Sequence, residues 1–210
     1  MNPTKREAPV LKPGQRWGIL GGAFDPIHFG HLNLASHIQQ RFGLRGVLLV
    51  ASANPPHRDT LILSPYNVRL EMTCLAAKNF QDFWASRIEY DMRLSGYTID
   101  TLVALHSENP GVSFDLIVGA DQARVFDTWH QPLEILKLSR LLVGARPGNP
   151  IDIPEGLDRA RIELCPTTEL DLSSSDIRRR VRAGISESDL VAMVSAPVAE
   201  YIIRHKLYQS

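Results

Sequence analysis

Four short apolar runs, each released into a loop that carries glycine or proline, constrain this chain more than any other feature. They are WGIL at 17–20, GVLLV at 46–50, FDLIV at 114–118 and RLLV at 140–143. All are too short for helices, and they lack the in–out alternation of a strand with one wet face. Runs of this kind are strands covered on both sides. Between them the spacing turns helical. Over 29–42, Leu32, Ala35, Ile38 and Phe42 fall on one face, and Gly43 is placed to stop the helix. Residues 65–78 read as a helix with Ser64 as N-cap and Pro65 at its first position. Stretches 98–106 and 121–128 read as further helices, and 88–90 and 161–164 as short strands. Alternation of this sort predicts βαβ units, hence an α/β fold with a doubly wound, mainly parallel sheet. Residues 1–15, with three prolines and little periodicity, read as a flexible N-terminal tail. The rest, 16–210, reads as a single domain whose 173–210 part is helical and basic, a small C-terminal cap.

Charge narrows the function classes. Lys+Arg and Asp+Glu both total 23, so the chain lacks the basic excess expected of a nucleic-acid binder. Local clusters can still hold phosphate. No apolar run approaches the ~20 residues that a membrane span needs, and the N-terminal stretch lacks the apolar core of a secretory signal. A cytoplasmic protein with two reduced, buried thiols, Cys74 and Cys165, is expected. Homo-oligomerisation is left open.

Ligands on doubly wound sheets bind where strands end and strand order switches. Four loops follow predicted strands there: GGAFDPIHFGH, ASANPPHR, VGADQ and VGARP. In the first, Gly21, Gly22, Ala23 and Phe24 lead into a helix. Consecutive glycines let backbone N–H groups approach a phosphate and adopt dihedrals other residues avoid. His28 and His31, three apart, share a helical face, and Gly30 between them leaves room for a bulky ligand. A helix N-terminus adds its preference for anions. The loop departs from GxGxxG, and without HExxH or a cysteine cluster no dedicated metal site is visible.

These residues resemble the GxFDPxHxGH signature of the HxGH nucleotidyltransferases. Further segments are similar to one branch, the bacterial nicotinate-mononucleotide adenylyltransferases: NPPHR at 54–58, SGYTIDTL at 95–102, IVGADQARVFDTW at 117–129, LSSSDIRRR at 172–180 and YIIRHKLY at 201–208. The resemblance runs from about Trp17 to Tyr208 with the motifs in order. It implies a Rossmann-like nucleotidyltransferase fold and transfer of AMP from ATP to nicotinate mononucleotide, a step of NAD biosynthesis, with magnesium carried by ATP.

Site residues follow from the same resemblance. His28, His31 and Arg178 would be catalytic, donating to phosphates. Gly21, Gly22, Ala23, Phe24, Gly119, Asp121, Arg146, Ser173 and Ser174 would join them in binding ATP, with Asp121 accepting from ribose hydroxyls. His57, Arg58, Tyr97, Thr98 and Trp129 would bind nicotinate mononucleotide, Trp129 by stacking. Blander roles compete for several of these. Ser173 reads equally as an N-cap before a solvated basic helix, Asp121 as an N-cap, and Trp129 as a core residue. Leu172 and Ser175 depart from the branch's ISSTxIR pattern, and Arg58 stands where lysine is commoner. Arg179 and Arg180 match no role and read as surface charges. Rival readings are a nicotinamide-mononucleotide or phosphopantetheine adenylyltransferase, and a catalytically silent nucleotide-binding module.

Overall fold

The protein is described by a computed structural model covering residues 9–55, 63–145, 151–167 and 172–209. In chain order the elements are β1 (Arg16–Gly22), α1 (Phe29–Phe42), β2 (Gly46–Ala51), α2 (Tyr66–Ala77), β3 (Phe83–Ser86), α3 (Ile88–Asp91), α4 (Thr98–Glu108), β4 (Ser113–Gly119), α5 (Ala120–Ala123), α6 (Pro132–Leu138), β5 (Ser139–Ala145), β6 (Ile162–Pro166), α7 (Ser174–Arg182), α8 (Glu187–Val191) and α9 (Ala196–Arg204). The six strands form one sheet in the order β3-β2-β1-β4-β5-β6, and every pairing is parallel. Strand order reverses between β1 and β4, so a crevice opens beyond the carboxyl ends of those two strands.

The continuous apolar runs have a simple cause. Neighbouring residues of a strand point to opposite faces, and both faces are buried. Leu20, Leu49, Ile117 and Leu142 join one cluster with Leu32, Ala35 and Ile38 of α1 and Met72 of α2. Ile19, Leu48, Leu116 and Leu141 join the other, with Leu102 and Leu105 of α4 and Ile135 of α6. Each such side chain, fully buried, contributes roughly 1.5–3 kcal/mol. Ile177, Leu190, Val198 and Ile202, from α7, α8 and α9, sit in the first cluster beside α1 and α2. The C-terminal helices therefore share the main core.

One polar residue inside a buried run is accounted for by its register. Asp115 in β4 lies opposite Arg140 in β5. Arg140 donates to both carboxylate oxygens, at 2.9 and 2.8 Å, and Arg16 stands 3.6 Å away.

Several expected elements shift. The run 88–90 is a helical turn, with the N–H groups of Tyr90 and Asp91 both donating to Arg87 O. The edge strand is instead β3, whose Trp84 packs edge-on against Trp17, ring centroids 5.2 Å apart. Pro65 is itself the N-cap of α2, because its ψ of 145° is extended. The stretch 121–128 breaks into α5 and a 3-10 turn, Phe126–Thr128. Helix α6, with Pro132 in its first turn, has no counterpart among the expected elements. Helix α1 and its stop match expectation: Gly43 has φ 61° and ψ 36°, the left-handed cap that glycine takes freely. Within the expected tail, the Gly14 N–H donates to Gly111 O and Leu11 packs on the second cluster. Neither Cys74 nor Cys165 is in a disulfide among the described residues; Cys165 is buried as expected, Cys74 only partly so. Among the described residues no helix is long and apolar enough to cross a membrane.

Candidate active site

A cleft of about 960 Å³ occupies the crevice between the ends of β1 and β4. Residues from both sides of the switch point line it: Gly21–Phe24, His28 and His31 at and beyond the end of β1, and Gly119 and Asp121 at and beyond the end of β4. Tyr97, Thr98 and Trp129 line it as well, as do Ser173 and Ser174. Motifs up to about 150 positions apart in sequence thus share one concavity. Three sequence-expected residues, His57, Arg58 and Arg146, lie outside the described residues.

The loop after β1 differs from its sequence reading in one respect. Gly21 and Gly22 belong to β1 and are not in the left-handed region; Phe24 is, at φ 50°. That conformation is costly for a residue with a Cβ. It persists because Phe24 is buried, 2% exposed, and its ring stands edge-on to His31 at 5.1 Å. The following Asp25–Pro26 peptide bond is cis. Arg69 supports the loop from beneath. It is 2% exposed, its Nη1 donates to Ala23 O at 2.6 Å, and its Nε donates to Ser64 O at 3.0 Å. A trans peptide holds its N–H antiparallel to its C=O. Since the Ala23 carbonyl points inward to Arg69, the Phe24 N–H points away from the interior.

His28 is the N-cap of α1 and His31 its third residue. Their rings stack, centroids 3.7 Å apart at 29°. The His28 backbone N–H donates to His31 Nδ1 at 3.3 Å, which leaves the proton of a neutral His31 ring on Nε2. Gly30 makes room for a ring of the protein itself: a Cβ there would meet His28 Nδ1 at 2.9 Å. His28 is 4% exposed, and among the described residues its Nδ1 is buried with no hydrogen-bond partner. The His28 ring lines the cleft, where a ligand atom can meet it.

Burial lowers the pKa of His28 from 6.5 to about 4. The imidazole is therefore neutral at physiological pH, with one N–H to donate. The same shift links stability to pH. Between 6.5 and 4 the unfolded chain takes up a proton that the folded protein refuses, so stability falls as pH drops through that window. The contribution is complete above 6.5, and no further loss occurs below about 4. Roughly 3 kcal/mol is at stake over the whole interval, about 2 kcal/mol of it gone by about pH 5. Urea titrations at about pH 7 and about pH 5 are expected to show that loss. A His28→Asn variant should show a pH dependence flatter by the same amount.

On the β4 side, Asp121 is exposed in α5 and folds back over Gly119, where a Cβ would meet its Oδ1 at 2.7 Å. Gly119, and not Asp121, is the N-cap of α5. Thr98 opens α4, and Tyr97 precedes it as N-cap. The Tyr97 ring lies 4.4 Å from that of His130, and Trp129 packs against Phe126 at 5.2 Å. Trp129 serves both sides: one part packs on the second cluster and another lines the cleft.

Helix α7 approaches from the far side. Ser173 is its N-cap, accepting from Asp176 N at 3.1 Å. Ser174 Oγ donates to Pro26 O at 2.9 Å. Arg178 Nη1 donates to Asp25 O at 2.7 Å and Nη2 to Ser175 Oγ at 3.2 Å. Arg178 thus lies along the loop and is not among the residues lining the cleft. Arg179 and Arg180 both pair with the Asp176 carboxylate on the exposed side.

Sequence reasoning missed Arg69 and Glu89. Arg69 falls in phase with Met72 and Ala76 on the buried face of α2, an odd place for a cation and the one signal available. Glu89, 6% exposed, lines the cleft and accepts from Ala53 N at 2.9 Å and Thr101 Oγ1 at 3.0 Å. It thereby ties the loop after β2 to α4. Nothing local in IEYD announces that.

The sequence profile of the cytidylyltransferase-like family matches residues 19–180. A probable nicotinate-nucleotide adenylyltransferase of Herpetosiphon aurantiacus is 36% identical over 199 residues, 92% of this chain and 98% of the relative. Its namesake from Thermus thermophilus is 37% identical over 196 residues, 92% of this chain and 100% of the relative. A solved Plasmodium falciparum nicotinic acid mononucleotide adenylyltransferase, complexed with NaAD, aligns with a TM-score of 0.74. That alignment covers 92% of this chain and 97% of the other at 19% identity, a likeness of fold.

Proposed function

The chain belongs to the cytidylyltransferase-like family and, within it, to the nicotinate-nucleotide adenylyltransferases, and from that premise we propose how its residues transfer AMP from ATP to nicotinate mononucleotide. The reaction joins a phosphate oxygen of the mononucleotide to the α-phosphorus of ATP. The bond from that phosphorus to the bridging oxygen breaks, and pyrophosphate leaves with the electron pair. A phosphate monoester has its second pKa near ~6, so the nucleophile is largely ionised at neutral pH and needs no general base. What the chemistry needs is alignment and donors for the charge on the transferring and leaving groups.

The observation that carries the assignment is the stacked pair His28 and His31 beneath the switch-point cleft, one ring with an unmatched nitrogen. The neutral imidazole of His28 donates without competing for the nucleophile's charge. The Phe24 N–H and the start of α1 add backbone donors beside it. Ser173 through its hydroxyl, and Ser174 through its backbone N–H because its hydroxyl proton is held by Pro26 O, bind phosphate oxygens at the mouth of α7. Arg178 acts mainly through the loop whose Asp25 carbonyl it holds. Asp121 accepts from adenosine ribose hydroxyls, with Gly119 giving the nucleotide close access. Across the cleft Trp129 stacks on the pyridine ring, and the backbone at Tyr97–Thr98 receives its carboxylate. His57 and Arg58 hold the acceptor phosphate, and Arg146 contacts the adenylate. Magnesium enters with ATP as part of the substrate. A cytoplasmic setting fits two cysteines that are in no disulfide among the described residues.

The test supplies ATP and magnesium with nicotinate mononucleotide, nicotinamide mononucleotide or phosphopantetheine in turn, and measures pyrophosphate. Fast release with nicotinate mononucleotide is expected, matched by a dinucleotide of the summed mass less pyrophosphate. Release with phosphopantetheine alone would overturn the acceptor, and release with none would favour a silent binding module.

A further inference from the structure

We infer that Tyr208, in the last turn of the described chain, is a positioning residue for the reaction, latching the Asp25 carboxylate so that the loop carrying His28 and His31 keeps its catalytic shape. The inference rests on the reading of that loop as the phosphate site.

Asp25 is 1% exposed, a carboxylate within the signature loop that the mechanism above does not use. Its Oδ2 accepts from the Ser64 N–H at 3.0 Å. Its Oδ1 accepts from Tyr208 Oη at 2.6 Å, across 183 positions of sequence. A buried carboxylate keeps its charge only when donors replace the water it has lost. Tyr208 supplies the one side-chain donor to this group among the described residues.

The rest of the loop is held in a related way. Its carbonyls at Ala23, Asp25 and Pro26 accept from Arg69, Arg178 and Ser174. Oxygen atoms that would repel a triphosphate are thereby occupied by donors from α2 and α7. Tyr208 completes the set at the side chain between them.

Tyr208 bears the marks of a residue kept for what it reaches. Its φ is 65° and that of Lys206 is 50°, both in the region favoured by glycine. Strain of that kind persists where surrounding contacts demand it. The tyrosine is half-buried, with Oη also 3.8 Å from Met72 Sδ. Burial, and then the Asp25 charge and hydrogen bond, push its hydroxyl well above the ordinary tyrosine range, so it remains a donor.

Tyr208→Phe removes this donor and little else. With one oxygen of the buried carboxylate left without its donor, the loop shifts, and His28 and His31 lose alignment with the transferring phosphate. Acceptor binding at Thr98 and Trp129 is untouched. The expected result is a fall in kcat of about tenfold, with KM for both substrates within about twofold. In an Asp25→Asn background, where the charge is already gone, the same change should cost less than about twofold in kcat. Unchanged kcat in Tyr208→Phe would overturn the inference. So would a loss that disappears when the assay is run well below the variant's melting temperature.

Hydrogen exchange gives a readout that does not need turnover. Amides of Ser64, which donates to the Asp25 carboxylate, and of Phe29, which closes the loop by donating to Met193 O, should exchange faster in Tyr208→Phe by about tenfold, while those of β4 stay as they were. Unaltered exchange there would also overturn the inference. A wild-type protein that releases no pyrophosphate would instead overturn the functional reading, leaving the exchange experiment to decide the latch.

Discussion

Replacing His31 by alanine is expected to lower kcat by about 10²–10³ while leaving the protein folded. His31 is only partly buried, lines the cleft and packs against the His28 and Phe24 rings, so its removal opens space at the cleft and not in the middle of the core. Its loss removes a donor placed for the transferring phosphate. It also frees the His28 backbone N–H from Nδ1 and the His28 ring from its stacking partner. Steady-state rates at saturating ATP and mononucleotide, with a thermal melt alongside, provide the check. Near-normal turnover in a folded variant would remove the imidazole pair from the mechanism. A His31→Asn variant keeps an N–H donor on a shorter stem and should recover part of the rate.

The second large effect concerns stability. Arg69→Met keeps most of the apolar stem and deletes the donors to Ala23 O and Ser64 O. Two partly buried carbonyls then lose their partner, at about 1–3 kcal/mol each. For a chain of this size the sum lowers the melting temperature on the order of 10 °C. A variant that melts with the wild type would mean that water replaces the guanidinium at no cost, and that Arg69 is not what holds the loop in place. Arg69→Lys should restore little of the loss, because one ammonium cannot reproduce the fork that spans both carbonyls.

How much of this is legible in the sequence depends on the range of the interactions. The strands β1, β2, β4 and β5 show as apolar runs because burial on both faces leaves a local compositional trace. Helix α1 and its glycine stop are equally local. The edge strand β3 escapes the pattern: FWAS is short and only partly covered, and the more strand-like IEY beside it turns into α3 once Arg87 O captures two N–H groups. At the site, His28, His31, Thr98, Trp129, Ser173 and Ser174 emerge through motif order, and the fold brings them to one cleft. Sequence reasoning puts the loop's unusual dihedral on glycines, whereas it falls on Phe24, whose ring the core buries. Gly30, expected to leave space for a ligand, leaves it for the His28 ring. Arg69 and Glu89 escape notice, and Asp25 stands in the quoted motif without a role, for a common reason. Each acts on a partner between 12 and 183 positions away, and no local pattern encodes such a pairing.

The holding of Pro26 and Asp25 by Ser174 and Arg178 has a temporal consequence. Partners 148 and 153 positions apart cannot meet until synthesis has passed the later one. The central strand and its loop leave the ribosome early, yet the loop can acquire these supports only once α7 has been made. A nascent chain stalled before α7 would carry both imidazoles and still lack a working catalyst.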